Sequence, residues 1–287
     1  MNRFAAASVV AAILIAGLLA AGCGGEATSP VRNGKIAFES GRVIYVINAD
    51  GSGQRRLTHN LTADDGAPVW SPDRKKIAFV RDEDLWVMNP DGSGQRRLTG
   101  NLAYEAEPTW SPDGKRIAFA AEDGVSVVNV DGTGQRKLVD RGKRVSWVPG
   151  NKIAFDVYGG GIWVVSPDGS GLRNLTPKLK DAYGPAWSPD AKKIAFWVGG
   201  FPGDDVGDPA AIYVMNADGS GLRKLTRLKG TNYVPVWSPD GRKIAFVRFL
   251  GEDSELYVMN ADGSGLQKLV VLVNACCSYP WQPLPGR

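Results

Sequence analysis

The sequence predicts an all-β protein, a closed ring of six four-stranded antiparallel blades, on three observations. Gly and Pro supply nearly a fifth of the 287 residues and stand beside nine tryptophans, a composition of short strands and turns. One four-part pattern recurs about every forty residues from residue 35 onward, the span of a single blade. The first copy lacks its opening strand, while an orphan copy of that strand stands near the other end, at Tyr279-Pro280-Trp281. With 43% apolar and 22% charged residues, the chain has material for a large core and is no disordered tail. A net charge of +4, from 34 basic and 30 acidic residues, is too small and too dispersed for a nucleic-acid surface.

Residues 1–22 read as an export signal, with Arg3 near the start and an apolar run from Ala5 to Ala21 that ends in small residues. Leu19-Ala20-Ala21-Gly22-Cys23 resembles a bacterial lipobox, which implies that Cys23 is lipidated and opens the mature chain. Ala20 departs from that pattern, because Leu is preferred there and Leu19 lies one residue early. Acyl chains would hold the protein to a bilayer face at about 0.8 kcal/mol per buried methylene. Residues 23–34 are then a lipidated tether, polar and without periodicity, whose ten residues from Gly24 to Asn33 reach at most about 35 Å. The expected location is the bacterial cell envelope, exported and anchored by lipid to a membrane.

Residues 35–287 form the repeat domain. Ile-Ala-Phe begins at Ile36, Ile77, Ile117, Ile153, Ile194 and Ile244, and an aromatic-aliphatic strand follows each copy. Asp-Gly-Ser-Gly or a near variant comes next, at Asp50, Asp91, Asp131, Asp168, Asp218 and Asp262, and leads into a short Arg/Lys-Leu-Thr strand. A Pro-x-Trp-Ser-Pro-Asp block closes the unit around Trp70, Trp110, Trp187 and Trp237, with degenerate copies at Trp147 and Trp281. Each unit therefore gives four strands, and both Asp/Gly blocks are places where the chain must reverse. One such unit cannot bury both faces, so six stack around an axis as a six-bladed β-propeller. The C-terminal strand at Trp281 joins the N-terminal blade and removes the open edge. Deleting residues after Ser278 is expected to destabilise the whole ring.

These blocks resemble the repeats of TolB and its relatives, the WD40-like β-propeller repeats, over residues 35 to 283. The resemblance implies a binding scaffold of the cell envelope. TolB carries an α/β domain ahead of its propeller, and a ten-residue tether occupies that place here.

In this arrangement the Ser-Pro-Asp-Gly and Asp-Gly-Ser-Gly turns share one face of the ring, the turn face. The longer connections share the opposite loop face, where recognition usually resides. Acids gather in those connections, including Asp64, Asp82, Glu83, Glu122 and Asp123, beside fewer bases such as Arg42, Arg141, Lys178 and Lys229, whereas most of the remaining Lys and Arg flank the turn face or lie on outer strands. Positions just before each Trp strand are expected to point toward the central channel. The candidate ligand-binding residues are Asp64, Asp65, Glu105, Glu107, Lys143, Arg144, Tyr183, Tyr233 and Tyr279. Carboxylates, cations and aromatic faces brought together would hold a peptide or a sugar.

The Asp-Gly-Ser-Gly copies are read as hairpins rather than phosphate or calcium loops, and the repeated tryptophans as core. His59 is the only imidazole and no Gly-x-Ser-x-Gly elbow exists, so no catalytic residue is assigned. No metal site and no cofactor is assigned, although Asp64 and Asp65 would suit a calcium ion. Cys276 and Cys277 read as two thiols, with a disulfide between them as the alternative. The stretch Trp197 to Ala210 lacks strand pattern and is expected to be a loop-face flap.

The leading functional reading is a monomeric, non-catalytic, membrane-tethered scaffold that binds an envelope protein or peptide through its loop face. The alternatives are a small-ligand receptor for a peptide or glycan, and a calcium-assisted hydrolase or lyase.

Overall fold

The computed structural model describes residues 35–39, 42–48, 53–60, 63–100, 105–148, 150–200, 210–238, 240–250 and 254–272. Within them lie six antiparallel sheets that follow one another along the chain. Blade one is β1 (Lys35–Glu39), β2 (Ile44–Asn48) and β3 (Arg55–Arg56). Blade two is β4 (Asp65–Trp70), β5 (Ile77–Arg81), β6 (Asp84–Met88) and β7 (Arg96–Arg97). Blade three is β8 (Glu105–Trp110), β9 (Arg116–Ala121), β10 (Gly124–Asn129) and β11 (Arg136–Val139). Blade four is β12 (Lys143–Val148), β13 (Lys152–Val157), β14 (Gly161–Val165) and β15 (Arg173–Asn174). Blade five is β16 (Ala182–Trp187), β17 (Lys193–Val198), β18 (Ala211–Asn216) and β19 (Arg223–Lys224). Blade six is β20 (Thr231–Trp237), β21 (Lys243–Phe249), β22 (Ser254–Asn260) and β23 (Gln267–Leu272).

Each inner strand packs on the blade before it, β4 on β1, β8 on β4, β12 on β8, β16 on β12 and β20 on β16. That succession is the all-β six-bladed propeller the repeat predicts. The closing strand at Tyr279 and Trp281 lies outside the described residues, as do residues 1–34 with Cys23, and Cys276 and Cys277.

The core repeats with the sequence. Phe79, Phe119, Phe155, Phe196 and Phe246, one from each Ile-Ala-Phe strand of blades two to six, are among the largest fully buried side chains. Each stabilises the ring by roughly 1.5–3 kcal/mol of apolar burial. Two tryptophans also stitch neighbouring blades together: Trp110 Nε1 donates to the Val69 carbonyl and Trp237 Nε1 to the Ala186 carbonyl, both at 3.0 Å.

Both turn types satisfy themselves internally. Asp91 accepts the Ser93 backbone N–H at 3.0 Å and the Ser93 hydroxyl at 2.6 Å, and Asp131, Asp168, Asp218 and Asp262 repeat the pattern. In the other turn Asp73 accepts the Ser71 hydroxyl and the Lys75 N–H. These bonds, led by the serine or threonine hydroxyl, hold the turn carboxyls below the usual Asp range. The Thr of each Leu-Thr strand takes up a backbone donor at the far edge: the hydroxyls of Thr58, Thr99, Thr176 and Thr226 accept the N–H of Ile44, Leu85, Ile162 and Ile212.

An arginine five residues after the hairpin Asp adds a latch between blades. Arg55 donates to the Pro90 and Asp91 carbonyls of blade two, Arg96 to Val130 and Asp131 of blade three, and Arg223 to Asp262 of blade six.

One expectation is corrected. The flap expected from Trp197 does not begin there, because Trp197 and Val198 continue β17, paired with Ile212 and Ala211. Trp197 is buried at 2% exposure. A tryptophan facing a neighbouring blade gains apolar burial and ring contacts that a loop position would forgo. Residues 201–209 lie outside the described residues.

Candidate functional site

Every described inner strand breaks register at the same place. The pairing shifts between Gly66 and Val69, Ala106 and Thr109, Lys143 and Ser146, Tyr183 and Ala186, and Tyr233 and Val236. The residue three before the Trp position carries the bulge with positive φ: Ala67, Glu107, Arg144, Gly184 and Val234. A bulge re-aims side chains and frees a backbone N–H from the ladder. In two blades that donor is taken by the residue after Ile-Ala-Phe in the preceding blade. Asp156 accepts the Gly184 N–H at 2.7 Å, and Glu39 accepts the Ala67 N–H. The corresponding residues Val80, Ala120 and Val247 are apolar, and in blade five the position is Trp197.

Blades three to six bring a mixed cluster together around these bulges. Arg144 Nη1 lies 3.2 Å from both oxygens of Asp156, whose side chain is 1% exposed. The same guanidinium sits 5.3 Å from the Trp197 ring centre and 5.8 Å from that of Tyr183. Tyr183 and Trp197 are neighbours at 6.0 Å, Tyr233 meets Trp197 edge-on at 6.5 Å, and Tyr158 lies 6.2 Å from Tyr183. Tyr183 and Tyr233 are buried, whereas Tyr158 is 82% exposed and crowns the cluster at the loop face. Gly184 is required here: its φ is +58°, and an added Cβ would meet the Trp197 ring at 1.8 Å.

The electrostatics follow from depth. Solvent reaches part of Glu107, yet its carboxyl sits deep between blades, and desolvation pushes its pKa up to about 7. Arg144 and Lys143 pull it back down, and Asp156 adds to the rise. Burial likewise pushes Asp156 up against the pull of Arg144. Loss of solvation and the Asp181 charge push the Tyr183 hydroxyl up to about 12, so it stays neutral and donates to Asp181 at 3.3 Å. Two carboxyls, two cations and four aromatic rings thus meet at one mouth, a set suited to a chain with both charges and apolar groups.

Of the residues singled out from the sequence, Glu107, Lys143, Arg144, Tyr183 and Tyr233 stand on adjoining inner strands of this mouth. The Lys143 ammonium donates to the Ala121 carbonyl at 2.9 Å. Asp65 is turned into its own blade, where Arg81 holds both its oxygens and packs over Phe79 and Trp86. Asp64 is exposed and pairs with Arg42 at 3.1 Å. Glu105 opens β8 opposite Ala121, while Tyr279 lies outside the described residues. Sequence reasoning missed Asp156, Tyr158 and Trp197. Aligning the residue after each Ile-Ala-Phe would have singled out Glu39, Asp156 and Trp197 from a column otherwise small or aliphatic. His59 is exposed, and among the described residues no three or more His, Cys, Asp or Glu are grouped to hold a metal ion.

Comparison with known proteins agrees with this architecture. The family model of the TolB beta propeller domain matches residues 34–138 and 125–283. A protein provisionally assigned as TolB from Agrobacterium tumefaciens is similar in structure, with a TM-score of 0.67 and 21% identity over 83% of this chain and 92% of that one. TolB from Acinetobacter baumannii is similar at a TM-score of 0.58 and 21% identity, over 77% of this chain and 57% of that chain. The chain thus spans little more than half of that protein. An oligogalacturonate lyase from Vibrio parahaemolyticus is similar at a TM-score of 0.62 and 14% identity, over 82% of this chain and 74% of that one. No curated protein matches the sequence. These structural likenesses are of fold, and 1035 solved chains match it, so the fold alone selects no activity.

Proposed function

The chain belongs to the TolB β-propeller domain family, and on that premise we propose a protein-binding scaffold of the cell envelope. It is exported, anchored through Cys23, and binds a polypeptide segment at the loop-face mouth of blades three to six without catalysis. Family membership supports the scaffold and the envelope location. The observation that carries the mode of binding is the placing of Arg144 and Asp156 under Tyr183 and Trp197, with Tyr158 exposed above them. A buried ion pair capped by rings gives a rigid anchor, and an exposed tyrosine at its rim is the residue type that dominates binding energies at interfaces.

The test uses the mature protein immobilised and exposed to solubilised envelope proteins, beside a Tyr158→Ala variant. Tyr158 is exposed, so its removal leaves the core intact. The wild type is expected to retain discrete polypeptides that elute at high salt, and the variant to retain them at least about tenfold less, on the order of 1.4 kcal/mol. Equal retention by both proteins, or retention only of short glycans, would remove the reading.

A further inference from the structure

We propose that the turn face of the ring docks on an anionic phospholipid surface and so holds the loop face away from the membrane. This rests on the lipid-anchor reading of Cys23, and it adds an orientation that the anchor alone does not supply. The residue immediately before each Ile-Ala-Phe is basic in all six blades: Lys35, Lys76, Arg116, Lys152, Lys193 and Lys243. Five of them start their strands at the turn edge, and Lys76 directly precedes β5 there. Lys35, Arg116, Lys193 and Lys243 pair there with Asn48, Asn129, Asn216 and Asn260, and the Lys76 ammonium reaches the Asn89 side chain at 2.8 Å. A second basic residue, exposed, precedes them as Lys75, Lys115, Lys192 and Arg242.

The carboxylates of this face are folded back into their own turns. Asp73, Asp113, Asp190 and Asp240 each accept a serine hydroxyl and a backbone N–H two residues on. They and the hairpin Asp91, Asp131, Asp168, Asp218 and Asp262 of the same face stay ionised and offset part of the ring, but their reach is short and each is bonded within its own turn, whereas the lysine and arginine stems carry charge outward. The opposite face mixes its charges: exposed Asp82, Glu83, Glu122, Asp123 and Asp140, the last two paired with Lys137, stand beside exposed Arg42, Arg141, Lys178, Lys180 and Lys229, so it offers an anionic surface no comparable basic ring.

The place where the chain enters the fold matches the charge. Lys35 is the turn-edge end of β1, and eleven residues separate it from Cys23. A segment of that length spans about 40 Å at most, and an anchored end meets the turn face without crossing the ring. The tether limits the basic ring to within about 40 Å of the headgroups, and on approach to within a Debye length of about 8–10 Å anionic lipids attract clustered Lys and Arg.

The experiment places the mature lipidated protein in phosphatidylcholine vesicles with or without one-third phosphatidylglycerol and maps lysine acetylation. Labelling of Lys75, Lys115 and Lys192 is expected to slow at least about threefold on phosphatidylglycerol relative to the exposed loop-face Lys178, Lys180 and Lys229, and to recover in high salt. The combined variant Lys75→Glu, Lys115→Glu and Lys192→Glu, all at exposed positions, is expected to abolish the protection read at Lys152. Equal labelling of the two faces on both vesicles, with the protein bound, would overturn the proposal. The mass of the Cys23 peptide is measured in parallel. If it carries no acyl chain, the anchor reading fails, and the same footprint of protein added to the vesicles at low salt decides the docking.

Discussion

At the turn edge, Asp91, Asp131, Asp168, Asp218 and Asp262 each accept the same two hydrogen bonds from the residue two places on. At the loop edge, ion pairs differ from blade to blade. Arg81 holds Asp65 in blade two, Arg144 meets Asp156 in blade four, and Arg248 meets Glu255 in blade six. The hairpins of the turn edge share the task of reversing the chain, and one chemistry serves all five described copies. The loop edge is under no such demand, so its buried charges are individual, and individuality is what a recognition surface needs.

The sharpest test of that difference is to break one individual pair. Arg81→Ala leaves Asp65 buried without its partner and is expected to cost about 3–5 kcal/mol of folding stability, measured by denaturant unfolding. A loss below 1 kcal/mol would mean that the pair is ornamental and that both edges tolerate change alike.

Glu107→Gln gives the next effect, and its sign depends on pH. In the folded ring Glu107 holds its proton up to about pH 7, whereas the unfolded chain releases it near 4.5. The folded state binds more protons between those values, so stability falls as pH rises through that window. At pH 8 the glutamine variant is expected to be more stable than the parent by roughly 2–3 kcal/mol, and at pH 4 the two should match. A constant offset at both pH values would place the carboxyl in water rather than deep in the mouth.

The smallest effect belongs to the repeated edge. Asp131→Ala removes two bonds to Thr133 at an exposed hairpin and is expected to lower the unfolding midpoint only slightly, by the same amount as Asp168→Ala and Asp218→Ala. Unequal costs among the three would show that the hairpins are not interchangeable.

The repeat made the strands, the turns and the blade order legible, because Ile-Ala-Phe and the two Asp/Gly blocks recur at one spacing. It also pointed to the mouth: Glu107, Arg144 and Tyr183 were found by their place before the tryptophans. What it hid was the bulge. Sequence alternation alone gives Asp65 and Glu107 equivalent outlooks, but a positive φ at Glu107 re-aims its side chain while Asp65 stays in its blade with Arg81. Asp156 was hidden for a second reason. Its partners, the Gly184 N–H and Arg144, come from other strands and, for Gly184, from another blade, so no local pattern announces them. Trp197 reads as loop because Gly and Asp crowd after it, although its strand partner Ile212 lies beyond that insertion.

The claim that the loop-face mouth is where this propeller meets its partner is tested most directly by photo-crosslinking in living cells. One probe replaces Tyr158 at the mouth, and a second replaces Asn151, also exposed, on the turn face. The account predicts a discrete polypeptide adduct from position 158 and none from 151. Adducts from 151 with none from 158 would contradict it.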